Sequence, residues 1–214
     1  MNVLIIGANG KIGKLFTKLL VENDAFTPKA MVRKQEQISF FDDLGAASVL
    51  TSLEGNVSDI AEAMKDCDAV VFTAGSGAAT GADKTLLIDL DGAAKAVEAA
   101  EQMKVKRFIM VSAINADKRE TWSESMAPYY VAKHHADRLL RASSLDYTIV
   151  RPGLLTDEAG NGNIALAKEL EAGAIPREDV ARVLLSVLQQ DKTIKQTFDI
   201  VSGDTPIDKA IANL

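Results

Sequence analysis

Short runs of aliphatic and β-branched residues alternate along the chain with longer stretches in which apolar residues recur every three or four positions. The short runs lie at 2–6, 29–33, 47–50, 68–73, 106–111, 146–151 and 196–201, and the helical patterns at 11–22, 35–44, 57–65, 84–103, 127–143 and 177–189. Near-continuous apolar runs of strand length are what a sheet covered on both faces requires, and their alternation with helices makes that sheet parallel. The predicted fold is therefore α/β, a doubly wound parallel sheet in the order 3-2-1-4-5-6-7, with helices on both faces and no large separate substrate domain. Helix 84–103 opens at Asp83, a plausible cap, and is expected to lay Leu86, Leu87, Leu90, Ala93, Ala94 and Val97 on the sheet. The small-residue run 73–81 follows the fourth strand, where loops line a ligand crevice. The irregular segments 112–126 and 152–176 read as active-site loops.

Composition narrows the class. The chain has 214 residues, 47% hydrophobic and 25% charged, values of an ordinary globular protein whose residues 1–214 form one domain. A net charge of -6 argues against nucleic acid as a partner, since binding a phosphate backbone needs clustered Lys and Arg. Cys67 is the only cysteine and His134 and His135 the only histidines, so neither an internal disulfide nor a metal-ligand cluster is expected. The apolar run Val3-Leu4-Ile5-Ile6 is too short for a signal core or a membrane span, and a cytoplasmic protein without membrane contact is expected.

The first strand runs into Gly7-Ala8-Asn9-Gly10-Lys11-Ile12-Gly13, which opens a helix. Glycines at such a turn let backbone approach a pyrophosphate while the helix N–H groups face its charge. This points to a Rossmann dinucleotide site, with Gly7, Asn9, Gly10, Lys11, Ile12 and Gly13 around the phosphates. At the end of the second strand, where an NAD enzyme usually places an acid for the ribose 2′-hydroxyl, stand Arg33 and Lys34. Arg33 by a bidentate contact and Lys34 as a point charge suit a 2′-phosphate, so NADP(H) is the expected cofactor. Leu53 and Glu54, after the third strand, are counted among the cofactor-binding residues, with Glu54 and Gly55 placed near the adenine.

Tyr129 and Lys133 are four residues apart on a predicted helix and share one face. An ammonium beside a phenol favours the phenolate, which is expected to bring Tyr129 toward working pH as an acid or base; Lys133 can also hold the cofactor ribose. Ser112 ends the fifth strand, where its hydroxyl can donate to a substrate carbonyl. Pro128 suits a helix first turn and sets Tyr129 near the sheet's carboxyl edge. Tyr130 and His134 repeat the spacing, and read as a packed tyrosine and an exposed histidine. Trp122 either stacks on a flat substrate or anchors its loop. Arg177 and Asp179 are read as fixing a helix start.

These motifs, together with Met31-Val32-Arg33, Phe108-Ile109-Met110-Val111-Ser112, Val150-Arg151-Pro152-Gly153 and Ile175-Pro176-Arg177-Glu178-Asp179-Val180-Ala181, resemble the short-chain dehydrogenase/reductase superfamily. The likeness is to its atypical NAD(P)H-binding branch of NmrA-like and flavin reductase/biliverdin reductase B-like proteins, including small bacterial proteins of sugar-epimerase type, and spans nearly the whole chain. It implies a Ser112, Tyr129, Lys133 triad, Pro152 and Gly153 beside the nicotinamide, and Thr73, Ala74 and Gly75 along the adenosine and ribose path. One departure stands out: where members with a full proton relay often carry an asparagine in the fourth helix, the nearest polar residue here is Asp89.

Three functions follow from this reading. One is an NADPH-dependent reductase of a small carbonyl, quinone or flavin-like substrate. Another is a nucleotide-sugar epimerase or dehydratase, which the 63 residues after Arg151 disfavour for want of a substrate domain. The third is a non-catalytic NADP(H) redox sensor. A monomer or homodimer acting on a small molecule is expected.

Overall fold

A computed structural model describes residues 1–77 and 80–214 of the chain, so the run 73–81 falls partly outside the described residues, at Ala78 and Ala79. The strands are β1 (Asn2–Ile6), β2 (Thr27–Val32), β3 (Ala47–Leu50), β4 (Ala69–Phe72), β5 (Arg107–Val111), β6 (Asp146–Pro152), β7 (Leu154–Thr156), β8 (Asn163–Ala167), β9 (Ala174–Pro176), β10 (Gln196–Ser202) and β11 (Thr205–Pro206). The helices are α1 (Lys11–Val21), α2 (Ile38–Leu44), α3 (Val57–Ala63), α4 (Ala82–Lys84), α5 (Gly92–Met103), α6 (Ala127–Ala142), α7 (Arg177–Leu188) and α8 (Ile207–Ala212).

The main sheet runs β11-β8-β10-β6-β5-β4-β1-β2-β3. Its seven parallel strands are those the pattern predicts, in the predicted order, with β10 as the seventh. Beyond β10 the sheet gains β8 and then β11, both antiparallel to their neighbours, while β7 and β9 pair apart from it. The 152–176 segment, read as loop, thus holds three strands of three to five residues. Such short segments have no periodicity of their own, and partners remote in sequence define them.

Alternation along the strands divides the core. Val3, Ile5, Ile109, Val150 and Phe198 face α1 and α7 and bury Phe16, Leu20, Leu184 and Val187. Leu4, Phe72, Phe108, Met110 and Ile149 face the other way, onto Ile60, Met64, Ala96, Ala100, Ala136 and Leu140.

Helix 84–103 differs from its expected form. Between α4 and α5 the chain winds as a π-helix over Thr85–Asp91. The wider turn rotates side chains relative to an α-helix. Ile88 and Asp89 point inward, while Leu86 is 55% and Leu87 40% exposed. Leu86, Leu87, Leu90 and Ala94 therefore line an outer groove with His135 and Leu139 instead of packing on the sheet; Ala93 and Val97 keep their predicted burial.

Candidate cofactor-binding and catalytic site

The three glycines of the first turn serve different ends. Gly7 has φ +86, and a Cβ there would lie 2.5 Å from Ala74 N, so glycine lets the first turn touch the loop after β4. Thr73 fastens the same junction, its hydroxyl donating to Ile6 O at 3.1 Å and Gly7 O at 3.3 Å. A Cβ on Gly13 would meet Gly7 O at 2.4 Å, so Gly13 seats α1 against the turn. A Cβ on Gly10 meets only Gly7 O, at 3.2 Å. Gly10 lines the cleft as the cap residue of α1, which has no side-chain cap and no acid in its first turn. Unopposed N–H groups at a helix start, beside backbone without a side chain, fit a pyrophosphate.

A cleft of about 310 Å³ extends from this turn. It brings together the predicted residues Gly7, Asn9, Gly10, Arg33 and Leu53 with Thr73, Ala74 and Gly75. Arg33 presents an exposed side chain there, while its backbone N–H donates to Gln37 Oε1 at 3.1 Å. Lys34 is outside the lining and pairs with Glu36 at 3.4 Å. Glu54 too is outside it, paired with Lys84, whose side chain lines the cleft. Ser76, in the expected loop 73–81, lines it as well, as do Ser52 and Gln37, which sequence reading had not marked.

The remaining turn residues support rather than line. Ile12 is buried in the core beneath α1. Lys11 Nζ reaches Asp157 at 2.5 Å, and Arg177 binds the same carboxylate at 2.6 Å, tying the start of α1 to that of α7. Asp179, at that helix start, is fully buried and accepts from the backbone N–H groups of Asn161 and Gly162. Pro152 and Gly153 are buried at the end of β6, where a Cβ on Gly153 would lie 2.1 Å from Gly173 O.

Tyr129 and Lys133 are brought together on α6 as their spacing predicts, the ammonium 5.7 Å from the phenol ring centroid. The Lys133 side chain is 6% exposed and its Nζ lies 3.5 Å from Ala74 O, at the cleft wall. The third member of the group is Asp89, whose Oδ1 is 3.0 Å from Lys133 Nζ with only 1% of its side chain exposed. Burial pushes the Tyr129 phenol above its ordinary value, against the pull of Lys133 and with the help of Asp89. The expected lowering of this phenol is therefore reversed, because desolvation outweighs one neutralised cation. Burial acts to lower the Lys133 ammonium, but Tyr129 and Asp89 hold it above its usual value.

Ser112 takes another position. Ser112 just after β5, Arg151 near the end of β6 and Asp199 in the middle of β10 lie side by side on the face covered by α6, and all are buried. Arg151 Nε donates to Asp137 Oδ2 at 3.1 Å and Nη1 to Asp117 Oδ2 at 2.6 Å. Burial pushes the Asp137 carboxyl up, opposed by the charge of Arg151. Ser112 Oγ, Asp137 Oδ1, Arg151 Nη2 and Asp199 Oδ1 are buried without a hydrogen-bond partner among the described residues. Trp122 anchors its loop, its Nε1 donating to Asn115 O at 2.9 Å and its ring stacked on Tyr130. His134 is half-buried rather than exposed, its Nδ1 2.9 Å from Ala116 O.

The sheet order and the cleft at its first turn define a dinucleotide-binding protein of the Rossmann type. The chain belongs to the NAD(P)H-binding family, which it matches over residues 7–191. It is 53% identical to the "uncharacterized sugar epimerase YhfK" of Bacillus subtilis, over 100% of both chains. Identity to the UPF0659 protein YMR090W of Saccharomyces cerevisiae is 42%, over 100% of this chain and 99% of that one. The solved structure of the oxidoreductase ylbE from Lactococcus lactis superposes with a TM-score of 0.91 at 32% identity, covering 100% of this chain and 96% of that one. The resemblance to the atypical short-chain dehydrogenase/reductases thus holds, in a family whose members carry both oxidoreductase and epimerase names. Among the described residues no helix is long and apolar enough to cross a membrane.

Proposed function

We propose that the chain is an NADPH-dependent reductase acting on a small carbonyl, quinone or flavin-like acceptor. When bound, the reduced dinucleotide supplies a hydride to the acceptor. The chain's own residues do the rest. The first turn and α1 hold the pyrophosphate, Arg33 the 2′-phosphate, and Lys133 the ribose nearest the reacting end. Tyr129 gives a proton to the oxygen or nitrogen that gains charge as the acceptor is reduced. The observation that carries this reading is the Lys133 ammonium, buried beside the Tyr129 ring and 3.5 Å from Ala74 O in the wall of the cleft.

A second reading, epimerisation of a nucleotide sugar, is favoured by the name of the Bacillus subtilis relative. Against it, the chain after β6 builds short strands and two helices that complete the sheet and its cover, rather than a substrate domain. The test is NADPH oxidation over a panel of aldehydes, quinones and free flavins, beside an isomer assay on nucleotide sugars. Turnover of an acceptor with loss of NADPH is expected; isomer exchange without net NADPH loss would establish the second reading.

A further inference from the structure

Asp89 is the acid on the inward face of the π-helical turn Thr85–Asp91, buried there with Thr85 and Ile88. Its two oxygens engage two different elements. Oδ1 lies 3.0 Å from Lys133 Nζ on α6, and Oδ2 accepts the Ser76 backbone N–H at 2.9 Å in the loop after β4. Gly75 fits against the same carboxylate, for a Cβ there would come within 3.2 Å of Oδ1. Ser76 Oγ and Thr85 Oγ1, 3.2 Å apart, fasten the loop a second time to the same turn. The carboxylate is thus a bracket between the cleft wall, where Gly75 and Ser76 lie, and the helix that carries Tyr129.

We propose that Asp89 is a positioning residue for proton transfer: by pairing with Lys133 and pinning the Ser76 backbone, it ties the helix that carries Tyr129 and Lys133 to the loop of the cleft wall and favours proton donation by Tyr129 in the reductive direction.

The reason is electrostatic. A buried lone ammonium would favour the phenolate, the form that takes a proton from an alcohol. An ammonium already paired with a carboxylate offers the phenolate little net charge, and the carboxylate itself repels it. The charged and titratable groups that act on Tyr129 are Lys133 in one sense and Asp89, Tyr130 and Asp137 in the other, on top of burial. In the step so favoured, the Tyr129 O–H bond breaks and its proton goes to the acceptor atom, while the electron pair arrives with the hydride of the reduced dinucleotide. The phenolate regains its proton from solvent. The direction of reaction rests on the reductase reading above; the hold of Asp89 on Tyr129 does not.

The test is therefore made without substrate. Tyrosinate absorbance is titrated in the folded chain and in Asp89→Asn, each taken as a difference from the same background carrying Tyr129→Phe. Asn keeps the shape and an oxygen for Ser76 but removes the charge, and the Tyr129 midpoint should fall by about one pH unit or more. An unmoved midpoint overturns the proposal. Should Asp89→Asn fail to fold, Asp89→Ser, which also removes the charge, is titrated in its place: a Tyr129 midpoint below the parent's supports the proposal, and an unmoved one overturns it. With an acceptor in hand, the alkaline limb of the reduction rate should move with the midpoint. A moved midpoint in a protein that reduces no acceptor leaves the bracket standing and removes the reductase reading.

Discussion

Arg151 and Asp137 form an ion pair at 3.1 Å in which the aspartate side chain is fully buried and the arginine nearly so, joining the end of β6 to the middle of α6. Two further carboxylates, Asp117 and Asp199, lie within its field, and the helix it anchors carries Tyr129 and Lys133. Truncating one partner leaves an uncompensated buried charge, whereas replacing both removes the problem. Arg151→Met should thus lower stability by about 3–5 kcal/mol, and Arg151→Met with Asp137→Leu should cost less than the sum of the single changes. Chemical denaturation of the four proteins measures this coupling.

Asp117 adds an acid-sensitive contribution to the same cluster. Burial alone would raise its carboxyl, but hydrogen bonding and charge from Arg151 bring it below the ordinary value. A folded-state value depressed in this way stabilises the fold above the unfolded pKa of about 3.9, and the stabilisation is lost as pH falls through the folded value. Melting temperature followed downward from neutral pH should fall less steeply in Asp117→Asn, because that variant has already lost this contribution.

The glycines separate packing from ligand binding. Gly13→Ala drives a Cβ to 2.4 Å from Gly7 O and 2.6 Å from Ala8 O, backbone atoms that cannot turn aside, so it should lower both stability and NADPH affinity. Gly10→Ala has one contact, at 3.2 Å, and should leave the melting temperature close to the parent's while weakening NADPH binding at least tenfold. Thermal melts beside fluorescence titrations distinguish the two.

The proposed preference for NADP(H) rests on Arg33. A hydrogen bond to a charged group contributes about 1.5–3 kcal/mol, so Arg33→Ala should weaken NADPH by roughly 10- to 150-fold and leave NADH nearly unchanged. Lys34→Ala should have a smaller effect, since Lys34 pairs with Glu36 outside the cleft. Equal losses for the two dinucleotides would remove Arg33 from 2′-phosphate recognition.

Tyr129→Phe should lower kcat by about 10²- to 10⁴-fold with little change in NADPH Kd, the expected cost of losing a proton donor. Lys133→Met should also raise the NADPH Kd, because it removes the proposed ribose contact and leaves Asp89 unpaired. Single-turnover kinetics and binding titrations on both variants give the comparison.

The sequence by itself determined the seven parallel strands and the first turn, because apolar period and glycine spacing are local properties that survive unfolding of the chain; the strand order was expected only from the rule of the doubly wound sheet. Tyr129 and Lys133 were legible for the same reason: helix periodicity alone puts residues four apart on one face. Their titration was not, since it depends on how deeply the helix is buried and on a carboxylate forty-four residues away from Lys133, delivered by a π-helical turn with no sequence signature. Nor was the Arg151 cluster. Ser112, Arg151 and Asp199 meet only because three strands pair in one register, and Asp137 reaches them only because α6 lies across that face. β8 and β11 belong to the same class, short segments held as strands by the edge of β10 and, in turn, by β8. Spacing fixed what lies within one element; which elements meet, and what charge and burial each side chain then has, tertiary packing decided.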